Sequence, residues 1–126
     1  MARILIIDDD AGVRALLAAV FSEAKYEVLE AQDGVQGLAA AKLNAPDAVV
    51  LDVDMPGLNG YEVCQGLRAD PATHTVPILM LTGTTDLNGA INCMSSGADD
   101  HITKPFDIDE VAARVQALLL RSGQKE

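Results

Sequence analysis

Five short apolar runs recur along this chain, and a stretch with helical spacing follows each of them. The runs are RILII (3–7), EVLEA (27–31), AVVLD (48–52), PILML (77–81) and DHITK (100–104). Three of them are nearly all apolar, as parallel strands buried on both faces require. Between the runs, Val13, Leu16, Leu17, Val20 and Phe21 make one helical stripe. Val35 and Leu38 begin a second, Val63 and Leu67 a third, and Leu87, Ile91 and Met94 a fourth. Ile108, Val111, Val115, Leu118 and Leu119 make the last. Gly34, Asn59-Gly60, Asp70-Pro71, Gly97 and Pro105 fall between elements. Asp10 is placed to cap the first helix, and Asp107 the last, with Glu110 completing a capping box.

Strands alternating with helices specify an α/β domain. The expected form is a doubly wound, flavodoxin-like (βα)5 unit, its five-stranded parallel sheet in order 2-1-3-4-5 with helices on both faces. At 126 residues the chain is one domain, expected over 1–121, with 122–126 a polar tail or the start of a linker. The chain is 49% hydrophobic but only 3% aromatic, so the core must be aliphatic, and Met80 and Met94 read as part of it. A formal net charge of −10 argues against direct nucleic-acid binding by this domain. No signal peptide or membrane-length apolar run is present in the sequence. Cys64 and Cys93 stand apart, as buried reduced thiols of a cytoplasmic protein would. His74 sits in a polar loop and is expected to face solvent.

In an open parallel sheet, ligands bind beyond the carboxyl ends of the strands. The first run is followed by Asp8, Asp9 and Asp10; the third ends in Asp52, with Asp54 two residues on. Thr82, Gly83 and Thr84 follow the fourth, and Lys104-Pro105 closes the fifth. Strand order 2-1-3-4-5 would gather these at one edge. Carboxylates crowded together repel one another and cannot all ionise without a cation, and a hard ion such as Mg²⁺ suits oxygen ligands. One carboxylate can then act as nucleophile toward a phosphoryl group whose charge a lysine and a hydroxyl neutralise. Asp52, central at a strand end, is the best placed nucleophile.

At these residues the chain resembles the receiver domain of two-component response regulators. ILIIDDD is similar to its acidic pair, LDVDMPGLNG to its phospho-acceptor motif, LMLTG to its Thr motif and GADDHITKPF to its Lys-Pro motif, over about Arg3 to Arg121. Four motifs in order, each at a strand end, are far more specific than any one. The resemblance implies that Asp52 accepts a phosphoryl group from a sensor histidine kinase or histidine phosphotransfer protein. It implies that Asp8, Asp9 and Asp52, with the backbone carbonyl of Asp54, hold Mg²⁺. Thr82 would contact the phosphoryl oxygen and Lys104 would ion-pair with it, across a cis Lys104–Pro105 peptide. Asp54 and Thr84 occupy positions that tune the lifetime of the acyl phosphate, and Gly83 keeps the pocket open. Phosphorylation would pull Thr82 inward and repack the face made by the fourth helix, fifth strand and fifth helix. Such a domain modifies only itself and is not an enzyme with an independent substrate.

His101 stands at the switch position, where the family usually has Tyr or Phe; an imidazole there implies altered or pH-sensitive switching. Asp99, Asp100, Glu110, Arg114 and Arg121 are similar to residues through which one DNA-binding subfamily dimerises. The fourth helix lacks the matching bases, so a monomer or a weak activation-dependent dimer is expected. The stretch RADPATHTVPILMLT is closer to single-domain regulators of cell-cycle type and to receivers joined to cyclic-dinucleotide synthases. Arg14 is frequent in the family and equally ordinary on a helix surface. Two alternatives remain. One is a haloacid-dehalogenase-type phosphatase, whose first motif VVLDVD superficially matches. The other is a degenerate receiver that serves only for docking.

Overall fold

A computed structural model describes residues 1–83 and 87–123, save the side chains of Leu87 and Asn88. The expectations for Thr84, for the Leu87 side chain and for the end of the tail lie outside that range. The chain runs β1 (Arg3–Ile7), α1 (Ala11–Glu23), β2 (Glu27–Ala31), α2 (Gly34–Asn44), β3 (Ala48–Asp52), α3 (Gly60–Ala69), β4 (Ile78–Thr82), α4 (Leu87–Ser95), β5 (Asp100–Thr103) and α5 (Ile108–Arg121). All strand pairs are parallel, in the order β2-β1-β3-β4-β5.

The period of two along each strand divides the core. Leu5, Ile7, Val49, Leu51, Ile78 and Met80 point to one face, where α2, α3 and α4 supply Ala41, Val63, Cys64, Leu67 and Cys93. Ile4, Ile6, Val50, Leu79, Leu81 and Ile102 point to the other, against Leu17 and Phe21 of α1 and Val111, Val115, Leu118 and Leu119 of α5. Both thiols are buried and free. Among the described residues no helix is long and apolar enough to cross a membrane.

Two strand boundaries move. β4 starts at Ile78 rather than Pro77 and extends to Thr82, which pairs with Thr103. β5 ends at Thr103, although the Lys104 amide still donates to the Thr82 carbonyl at 2.7 Å; Pro105 has no N–H to continue.

Four residues expected in the core are exposed: Leu16, Val35, Ile91 and Met94. The reason is rotational. Gly89 and Cys93 of α4, and Ser96 just after it, lie one turn apart and face inward, which turns Met94 roughly 100° away. On α2 the inward line is Gly34, Gly37 and Ala41; small residues let the helix approach the sheet, and Val35 falls outside. A Cβ on Gly37 would come within 2.6 Å of Ile7.

Asp10 caps α1 and Asp107 caps α5, the latter through the Asp109 amide. The reciprocal capping box is at α3, where Asn59 and Glu62 hold each other's backbone amides at 3.0 and 2.9 Å. His74 is exposed as expected, with Nδ1 2.7 Å from the Arg68 carbonyl.

Candidate functional site

Strand register assembles the site. The last β1–β3 pair is Ile7 with Leu51, so Asp8 lies level with Asp52. Asp52 in turn pairs with Leu81, one residue before Thr82, and Thr82 pairs with Thr103, one before Lys104. Four residues spread over most of the chain thus meet at the carboxyl edge. Asp8, Asp52 and Lys104 border a cavity of about 490 Å³ that Asp9, Asp54 and Phe106 also line.

Asp52 is 2% exposed. Its Oδ1 accepts from Lys104 Nζ at 2.5 Å and from the Asp54 amide at 3.3 Å. Burial is the main force that pushes its carboxyl up to about 6, and repulsion from Asp8 adds to this against the pull of Lys104. Asp8, 1% exposed, is also raised by burial. Its Oδ1 accepts from the Asp10 amide at 2.9 Å, whereas Oδ2 is buried without a hydrogen-bond partner. Burial works against the charge on Lys104, but the Asp52 carboxylate outweighs it and holds the amine above its ordinary value.

Asp8, Asp9 and Asp52 each offer a carboxylate oxygen, all within 4.8 Å of one another. Two raised carboxyls and one orphaned buried oxygen are what a hard cation would relieve, so the donor set fits such an ion. Thr82 is fully buried at the end of β4. Asp54 is exposed at the mouth, its Oδ2 accepting from the Gly83 amide at 3.2 Å. A Cβ on Gly83 would stand 3.1 Å from that oxygen. The Lys104–Pro105 peptide is cis. His101 is half-buried on β5, its Nδ1 without a hydrogen-bond partner.

Arg14 is no idle surface residue. Its Nη1 donates to the Asp8 carbonyl at 2.6 Å, and its Nε lies 3.4 Å from Glu30 on β2. The sequence hint was its place one turn into the helix after the acidic run; Glu30 carried none. Four of the charges expected on the α4–β5–α5 face, those of Asp99, Asp100, Glu110 and Arg114, are engaged within the chain. Arg114 pairs with Asp100 at 2.7 Å and Glu110 at 3.3 Å, and Asp99 pairs with Arg68 at 2.9 Å.

A parallel five-stranded domain with buried acids and a lysine at its carboxyl edge defines a phosphoryl-handling or cation-binding α/β module. The chain belongs, more particularly, to the response regulator receiver domain family, which matches residues 4–116. It is 46% identical over 124 residues to the DNA-binding dual master transcriptional regulator RpaA of Synechocystis sp., covering 98% of this chain and 52% of that one. The chain thus spans about half the length of the curated relatives it matches. A putative response regulator from Chloroflexus aurantiacus superposes with a TM-score of 0.90 at 41% identity, over 95% of this chain and 98% of that one. The receiver domain of the Pseudomonas aeruginosa sensor histidine kinase PA1611, with magnesium coordinated in its active-site cleft, gives 0.86 at 28% identity over 94% and 97%. Family membership decides against the dehalogenase-type alternative, whose metal-binding acid pair follows its lysine; here Asp8 and Asp9 come first.

Proposed function

We propose that Asp52 accepts a phosphoryl group from the phosphohistidine of a sensor kinase or phosphotransfer protein. The observation that carries this is the Asp52 carboxylate, buried, bonded to Lys104 Nζ at 2.5 Å and offering an oxygen within 4.8 Å of one from Asp8. At neutral pH a carboxyl at about 6 is mostly ionised, hence nucleophilic. An Asp52 oxygen bonds to phosphorus as the phosphorus–nitrogen bond breaks, and the histidine keeps the electron pair. Lys104 offsets charge on the phosphoryl oxygens, and Thr82 donates to one of them.

Asp8, Asp9 and Asp52 with the Asp54 carbonyl would hold Mg²⁺, which supplies charge neutralisation between carboxylates and phosphate. Asp54 and Thr84 set the lifetime of the acyl phosphate. Thr82 and His101 carry the response to the α4–β5–α5 face, whose ion pairs within the chain favour a monomer or a weak activation-dependent dimer. The domain modifies only itself, in the cytoplasm. Because RpaA is named a DNA-binding regulator, the output it governs is a DNA-binding unit beyond this segment.

Intact mass after incubation with acetyl phosphate tests this. The wild type gains one phosphoryl group only with Mg²⁺, and Asp52→Asn gains none. Binding of Mg²⁺ without any mass gain would leave a docking module instead.

A further inference from the structure

Arg14 reaches back from α1 to the end of β1, and Glu30 of β2 holds it from the other side. Its side chain is only 15% exposed. Around it, every polar atom of Asp8 but one has a hydrogen-bond partner. The amide donates to the Ala31 carbonyl at 3.1 Å, the carbonyl accepts from Arg14 at 2.6 Å, and Oδ1 accepts from the Asp10 amide at 2.9 Å. Oδ2 remains, buried and unpartnered. The Asp8 carbonyl shares a rigid peptide plane with the Asp9 amide. A donor that fixes this oxygen therefore fixes the direction in which two successive acidic side chains leave the backbone. These are the side chains that must converge with Asp52.

We propose that Arg14, clamped by Glu30, is a positioning residue for the cation pocket: it locks the Asp8–Asp9 peptide so that both carboxylates face Asp52 before an ion arrives. The proposal rests on the reading of Asp8, Asp9 and Asp52 as the Mg²⁺ site. An ion pair with the partly exposed Glu30 alone would contribute little. A charge-assisted bond to a main-chain carbonyl adds directional constraint, and groups that orient metal ligands often matter strongly for affinity.

The test is Mg²⁺ calorimetry on the wild type and on Arg14→Ala, Arg14→Lys, Glu30→Gln and Asp8→Asn, with amide hydrogen exchange on the metal-free proteins. Arg14→Ala should weaken Mg²⁺ binding by about 10-fold or more and speed exchange at the Asp10 amide. Arg14→Lys, which keeps the charge but not the two-pronged grip, should recover only part, and Glu30→Gln should lie between wild type and Arg14→Ala. Binding by Arg14→Ala equal to wild type would overturn the proposal, as would full recovery in Arg14→Lys, which would mean that charge alone matters. If the wild type bound no Mg²⁺, or Asp8→Asn bound it equally, the site reading beneath the proposal would fall, a different and recognisable result.

Discussion

The two edges of the sheet treat charge in opposite ways. At the amino edge, charges are answered within the chain. Arg68 donates to the carbonyls of Gly97, His74 and Val76 at 2.9, 3.1 and 2.6 Å, and to Asp99 at 2.9 Å. Asp99 accepts the Ile78 amide as well, at 2.8 Å. Gly97, at φ +106°, could not carry a side chain there, since its Cβ would meet Arg68 at 2.9 Å. At the carboxyl edge, two buried acids face one lysine, and a buried oxygen of Asp8 has no partner. The amino edge therefore serves stability. The carboxyl edge forgoes some stability by leaving buried acid charge incompletely answered.

The sharpest way to break this contrast is Arg68→Met. It strips three carbonyls and a carboxylate of their donor and should cost roughly 2–4 kcal/mol in urea unfolding, while phosphoryl uptake at Asp52 stays at the wild-type level. Lost uptake in a folded variant would mean that the edges are not separable.

Next in size is a pH effect. The Asp52 carboxyl lies at about 6 when folded against an ordinary 3.8, so the folded state binds its proton more tightly. The penalty is complete above the folded value and absent below the ordinary one. Metal-free protein should thus gain roughly 3 kcal/mol from this group as pH falls from about 7 to about 3. Unfolding curves should show that gain in the wild type, less of it in Asp52→Asn, and a flatter profile when Mg²⁺ is present.

Gly60→Ala is a steric probe of the carboxyl edge. A Cβ there would meet the Asp52 carbonyl at 2.5 Å and the Val53 Cα at 2.7 Å. Both are backbone atoms that cannot swing aside, so the variant should lose roughly 1–3 kcal/mol and take up phosphate more slowly. Met94→Gln, on the exposed side of α4, should change stability by less than about 0.5 kcal/mol. A larger loss by thermal melting would return Met94 to the core.

Much of this was legible beforehand, for identifiable reasons. Period-two burial on both sheet faces makes RILII, AVVLD and PILML read as strands wherever they occur. Asp8, Asp52, Thr82 and Lys104 were legible because each closes or follows a strand, and parallel order brings strand ends together. The inward face of α2 was not, because Gly34, Gly37 and Ala41 contact the sheet by being small, and small residues leave no hydrophobic stripe.

The sequence by itself determined the alternation of elements, the helix caps at Asp10 and Asp107, and the acids, hydroxyl and amine at strand ends, because these depend on local periodicity and side-chain chemistry. Only the tertiary structure decided that Asp8 keeps an unpartnered oxygen, that Asp52 is pushed to about 6, and that Arg14 grips a carbonyl of the acidic run. Those properties come from burial and from neighbours distant in sequence, and desolvation exists only once the chain has closed around a group.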